Sequence, residues 1–263
     1  MSVRPKKYLG QHFLTDLNIA QNIANTLSGD GYKNVLEVGP GMGVLTQYLL
    51  EKPFTTHVIE IDTESVDYLK SHFSQLEKRI LEGDFLKMAL ADHFDTQVAV
   101  IGNFPYNIST QILAKWIKNV HLNSTFKRLI LMFQKEVGER IIADANEKNY
   151  GRLSILTSWR MNVKKITDVS PKSFFPIPKI KSTILLFEPK TKYYNLKNPK
   201  NLEYITSVFF NQRRKMIKKP LNTLFKNTNE LSSKLNINLN DRPQNLSPTK
   251  YFQICEEYEK LSS

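Results

Sequence analysis

The chain has 263 residues, 41% of them hydrophobic, which suffices for one large core or a core plus a smaller domain. Lys and Arg number 37 against 25 Asp and Glu, a formal charge of +12 that suits a polyanionic partner such as nucleic acid. The single cysteine, Cys255, excludes an internal disulfide and a thiolate metal cluster, and the histidines lack ligand spacing, so no metal is expected. The opening "MSVRPKKYLG" lacks the apolar segment of a signal peptide, and no apolar run approaches the roughly 20 residues needed to cross a bilayer. The expectation is a cytoplasmic protein with no membrane partner.

Short apolar runs alternate with amphipathic stretches as far as about residue 188. "NVLEVG", "HVIEI", "VAVIGNF" and "RLILMF" read as buried parallel strands, with "RIL" before Gly83 a weaker fifth. Between them "GVLTQYLLEK", "TESVDYLKSHFSQL" and "STQILAKWIKNV" carry apolar residues at helical spacing. The alternation predicts a doubly wound, Rossmann-like α/β sheet. "KITDV" and "STILLFE" come late and predict an antiparallel pair at one sheet edge. From Glu188 the texture changes: "EPKTKYYNLKNPKN" reads as a linker, and "NLEYITSVFFNQRRKMIKKPLNTLF", "TNELSSKLN" and "SPTKYFQICEEYEKLSS" read as helices. The predicted division is a catalytic α/β domain over 1–190 and a small all-helical domain over 191–263.

"VLEVGPGMGVLT" places Gly39, Gly41 and Gly43 between a strand and a helix, where glycine lets the backbone turn sharply and approach a ligand. The spacing departs from the dinucleotide fingerprint and lacks the lysine of a phosphate loop, which points to a nucleoside without a pyrophosphate. Glu60 ends the next strand, where a carboxylate can accept both ribose hydroxyls, and Asp84 follows the weaker strand, where it can accept from an adenine amine. In this order the three elements look like the S-adenosylmethionine site of a class I methyltransferase.

The fourth strand ends in "NFPY". An exocyclic adenine amine is a poor nucleophile, because its lone pair is delocalised into the ring. Two hydrogen-bond acceptors improve it: the Asn103 side-chain oxygen and the Phe104 carbonyl, with Pro105 stiffening the turn. Tyr106 offers a face on which a flipped-out base stacks.

Taken in order, "RPKKYLGQHFL", "EVGPGMGVLT", "NFPYNIST", "QKEVGERI", "NYGRLSIL", "FFPIPKIKST" and "FNQRRKMI" resemble the KsgA/RsmA small-subunit ribosomal RNA adenine dimethyltransferases, from Arg4 to about Lys219. The resemblance implies dimethylation of N6 of two adjacent adenosines in the hairpin near the 3′ end of 16S rRNA. It implies S-adenosyl-L-methionine as cofactor and the assembling small ribosomal subunit as partner, with the enzyme acting as a monomer. It assigns His12 and Leu14 to a segment covering the cofactor and Gly39 and Gly41 to the glycine loop. Glu60 goes to the ribose, Asp84 to the adenine, Asn103 to the methyl-transfer site and Phe174 to the target base opposite Tyr106. The chain departs from the family pattern with His12 for Asn, Phe104 for Leu and Lys181 for Asp.

The segment from Lys190 to Lys226 holds ten Lys or Arg and one acid, Glu203. Such a run is either a solvated face or a phosphate-contacting one, and Arg213, Arg214 and Lys215 are the expected RNA contacts. Arg4, Lys6 and Lys7 could serve likewise or form a tail. Two alternatives remain: an Erm-type dimethyltransferase of 23S rRNA, and a non-catalytic rRNA-binding assembly factor of the same fold. "QKEVGERI" and "NYGRLSIL" favour the small-subunit enzymes, and intact Asn103, Tyr106 and glycine loop argue for catalysis.

Overall fold

The computed structural model describes residues 3–27, 31–103, 109–119 and 121–261. Seven strands form the main sheet: β1 (Asn34–Val38), β2 (Thr55–Glu60), β3 (Ile80–Glu82), β4 (Val98–Gly102), β5 (Phe126–Gln134), β6 (Met161–Val169) and β7 (Ser182–Pro189). Their order is β3-β2-β1-β4-β5-β7-β6. The first five are parallel, and β7 runs antiparallel to β5. The five predicted parallel strands are therefore present, and the late pair occupies one end of the sheet. The order reverses between β1 and β4, the place where open α/β sheets bind ligands.

Why these runs form central strands follows from their burial. Val98, Ala99, Val100 and Ile101 in β4 are all buried, as an apolar strand covered on both faces must be. Helices α1 (Leu17–Asn25), α2 (Thr46–Leu50), α3 (Thr63–His72), α4 (Ser109–Lys118) and α5 (Lys135–Ile142) accompany the sheet. Asp16 caps α1 by accepting from the Asn18 and Ile19 N–H groups, which starts the helix where the periodic apolar pattern begins. Ile23 and Ala24 of α1 and Leu49 of α2 pack with Val35, Ala99 and Ile130 of the sheet. Gly138 lets α5 approach β7: a Cβ there would lie 2.1 Å from Thr183 Cγ2.

The chain divides into two compact units, one of residues 1–138 and 163–189, the other of 139–162 and 190–263. The expected boundary near 190 is the last of three crossings of the chain between them, after those at 138/139 and 162/163. Residues 139–162 belong with the helical unit because their side chains and backbone bond there. The buried Tyr150 hydroxyl donates to the Leu246 carbonyl at 2.9 Å, and the Asn146 N–H donates to the Gln244 carbonyl at 2.8 Å.

The helical unit contains α6 (Arg152–Arg160), α7 (Pro199–Phe210), α8 (Lys218–Leu224), α9 (Thr228–Leu235) and α10 (Pro248–Leu261). The long apolar-basic stretch read as helical is split into α7 and α8 by the segment 211–217. Asn198 caps α7 with proline at its first position. The buried Glu259 carboxylate accepts from the Lys197 and Asn198 N–H groups just before α7, at 2.8 and 2.9 Å. A negative charge there complements the positive end of the helix. Phe209 and Tyr251 meet edge to face across the small core, with ring centroids 5.2 Å apart.

Candidate active site

The carboxyl ends of β1 to β4 converge on a cavity of about 300 Å³ lined by Gly39, Gly41, Glu60, Asp84 and Asn103, together with His12 and Leu14. Topology explains the convergence, since parallel strands present all their carboxyl ends on one side. Of the predicted site residues, these seven meet in one place. Phe104, Pro105 and Tyr106, which the sequence assigns to the same end of β4, lie outside the described residues.

The glycine loop needs its glycines. Gly41 has φ +55°, and a Cβ on it would stand 2.7 Å from the Phe13 ring; Gly43 has φ +76°, and its Cβ would stand 2.4 Å from Phe73. An L side chain at either place would be strained and would collide with a packed ring. The loop therefore stays bare and open to a ligand.

Glu60 is 5% exposed. Its Oε1 accepts from the Ile61 and Asp62 N–H groups at 2.9 and 3.0 Å, and its Oε2 accepts from the Gly41 N–H at 3.3 Å. Burial pushes its pKa above the usual carboxylate range despite those three bonds. Asp84 is more exposed; its Oδ1 accepts from the Leu86 N–H at 2.9 Å, which orients the carboxylate within the turn after β3. Asn103 donates its Nδ2 to the His12 carbonyl at 3.1 Å.

Glu37 is a wall residue that sequence reasoning missed. It lines the cavity at 2% exposure, its Oε2 accepting from the Thr46 hydroxyl at 2.6 Å. Burial, reinforced by Glu60 nearby, pushes its pKa up to about 8. The signal is legible as one acid inside the otherwise apolar "VLEV". Two buried acids, each of which a cation would help to ionise, and a glycine loop without a lysine suit a cationic nucleoside better than a phosphate. The donor set thus fits S-adenosylmethionine.

A strap from Lys6 to Leu14 supplies a further part of the wall, from Tyr8 onward, beside Asn103 and Gly41. Lys6, expected either to meet phosphate or to lie in a tail, instead bonds the Asp62 carboxylate and lies 3.1 Å from Glu64. Phe13 and Leu14 pair antiparallel with Phe175 and Phe174. That pairing sets the orientation of Phe174. Successive strand residues face opposite ways, and Phe174 turns inward, 2% exposed, into the core holding Ile23 and Ile184. Phe175 turns outward, 59% exposed.

In the helical unit Arg213 is a brace. Its guanidinium donates to the Lys148 carbonyl at 2.6 Å and to Gln244 Oε1 at 3.3 Å. Arg214 and Lys215 are exposed. Among the described residues no cluster of His, Cys, Asp or Glu could hold a metal ion, and no helix is long and apolar enough to cross a membrane.

Comparison with known proteins agrees with this geometry. The family model for ribosomal RNA adenine dimethylase matches residues 3–260. The chain is 51% identical to the ribosomal RNA small subunit methyltransferase A of Pelagibacter ubique (strain HTCC1062), covering 99% of both chains. It superposes on a dimethyladenosine transferase from Plasmodium falciparum with a TM-score of 0.78 at 26% identity, over 95% of this chain and 98% of that one. The 23S rRNA methyltransferase ErmE shares the fold, with a TM-score of 0.70 at 20% identity over 95% of this chain and all (100%) of that one. The sheet is that of a class I methyltransferase, and the chain belongs to the ribosomal RNA adenine dimethylase family.

Proposed function

We propose that this chain dimethylates N6 of two adjacent adenosines in the hairpin near the 3′ end of 16S rRNA, during assembly of the small ribosomal subunit in the cytoplasm. One observation carries the reading. Buried Glu60 and half-buried Asp84 and Asn103, drawn from three strand ends, line one cavity sized for a nucleoside, in a chain of the adenine dimethylase family.

S-adenosylmethionine supplies, when bound, an electrophilic methyl on a positively charged sulfur. Glu60, prealigned by three backbone N–H groups, accepts from the ribose hydroxyls, and Asp84 accepts from the cofactor's adenine amine. Gly39 and Gly41 admit the ligand close to the backbone, and His12 and Leu14 cover it. Glu37, held protonated by burial, ionises beside a cationic ligand and so adds negative charge to the wall on binding. Asn103 accepts a hydrogen bond from the target amine, drawing its lone pair out of the ring. From the sequence alone, the Phe104 carbonyl is the second acceptor, Pro105 holds the turn and Tyr106 provides a stacking face. Phe175 is the exposed ring of its pair and meets RNA at the rim, whereas Phe174, the ring the family resemblance sets against the target base, packs on the opposite face of the strand. Exposed Arg214 and Lys215 contact RNA phosphates.

The test is methyl transfer from labelled S-adenosylmethionine to isolated small and large subunits that lack the modification, with the modified positions mapped by mass. Dimethyladenosine at two adjacent positions of small-subunit rRNA is expected. Modification of large-subunit rRNA instead, or of neither, would overturn the proposal.

A further inference from the structure

Only one orientation of the Asn103 amide offers an oxygen to an incoming amine. Its Nδ2 donates to the His12 carbonyl at 3.1 Å. A carbonyl can only accept, so the amide nitrogen must face His12 and Oδ1 must face away from it. What holds the His12 carbonyl in place therefore decides how Asn103 is presented to the cavity it lines.

The strap is tied down on both sides of His12. On one side Lys6 bonds Asp62 and Glu64, the Lys6 N–H donates to Gln11 Oε1 at 2.8 Å, and Gln11 Nε2 reaches Asp62 Oδ2 at 3.4 Å. Asp62 is buried and begins α3, two residues beyond Glu60. Its carboxylate also accepts from the Ser65 hydroxyl at 3.1 Å, so the anchor is fixed by its own helix. On the other side His12 Nδ1 donates to the Pro176 carbonyl at 2.7 Å. Next to it the Thr15 N–H donates to the Ser173 carbonyl at 2.8 Å, and the Ser173 hydroxyl donates to Asp16 at 3.1 Å.

We propose that Lys6 and His12 are positioning residues for methyl transfer: anchored by Lys6 at Asp62, the strap holds the His12 carbonyl where it turns the Asn103 oxygen toward the acceptor amine. The proposal rests on the reading of Asn103 as an acceptor. Neither residue touches the reacting atoms. A strap that merely covered the cofactor would behave differently when loosened, because saturating cofactor would then restore the rate.

The experiment is a double-mutant cycle on the full chain with small subunits as substrate, using Lys6→Ala, Asn103→Ala and the pair, and Lys6→Arg as the conservative variant. Lys6→Ala should lower kcat at saturating cofactor and RNA by roughly 10- to 100-fold, the cost of a small misplacement at a reacting centre. Lys6→Arg should keep most of the rate. In the Asn103→Ala background Lys6→Ala should cause no further loss, since there is no amide left to orient. Cofactor affinity, read by calorimetry, should change less than kcat. Should the alanine variant melt early, Lys6→Met keeps the side-chain volume, removes the charge and repeats the cycle. Recovery of kcat at saturation, losses that multiply in the pair, or a rise in RNA KM alone would overturn the proposal. Full activity of Asn103→Ala would remove the acceptor reading itself; loss in Asn103→Ala beside full activity in Lys6→Ala would remove only the role of the strap.

Discussion

Gly41 donates its backbone N–H to the Glu60 carboxylate at 3.3 Å, so the glycine loop and the acid at the end of the next strand are one hydrogen-bonded unit. The acid is aimed before any ligand arrives. Glu60→Ala should therefore weaken S-adenosylmethionine binding by about 1.5–3 kcal/mol, the worth of hydrogen bonds to a charged group. kcat should recover at saturating cofactor. Calorimetry and steady-state kinetics on the same variant check this, and unchanged affinity would exclude Glu60 from the ribose.

Asn103→Ala should show the opposite pattern. Losing one preorganised acceptor should cost about 2–4 kcal/mol of transition-state stabilisation and much less in cofactor affinity. Single-turnover rates measured beside binding separate the two, and parallel losses would make Asn103 a binding residue.

Glu37 predicts a pH dependence. Its carboxyl is held at about 8, above the value of 4.5 it has when solvated, because burial disfavours its charged form. The folded chain thus binds a proton that the unfolded chain releases. That stability is fully present below pH 4.5 and is lost as pH rises through about 8. Glu37→Gln, neutral throughout, should show a flatter decline between these limits in denaturant melts. Glu60, also raised, is common to both proteins. Because a cationic ligand favours the ionised form, cofactor binding near pH 7 should release protons in the parent and fewer in the variant. Calorimetry in buffers of different ionisation enthalpy measures this.

Arg213 and its neighbours should separate bracing from phosphate contact. Arg213→Ala should lower stability by about 1–3 kcal/mol, because it removes charged hydrogen bonds to Lys148 and Gln244. Arg214→Ala with Lys215→Ala should leave the melting temperature unchanged. That pair should flatten the salt dependence of log K for small-subunit binding by about 0.7–0.9 per lost contact. An unchanged slope would remove these two residues from the RNA interface.

The sequence alone determined the sheet and most of the cavity. Apolar runs of strand length alternating with helical periods specify parallel strands, and such strands bring their carboxyl ends together; Glu60, Asp84 and Asn103 needed only to be placed at those ends. Local pattern reports which residues share an element and where it stops. It does not report which distant side chains will meet. The pairing of Lys6 with Asp62, separated by 56 positions, came only from packing the strap onto α3. The inward turn of Phe174 and outward turn of Phe175 came from their register against Leu14 and Phe13. Arg213 became a brace because residues 139–162 fold with the helical unit, a long-range choice no helical period encodes. Glu37 shows both sides: its place in β1 was readable, but its burial depended on the tertiary core that closes around it.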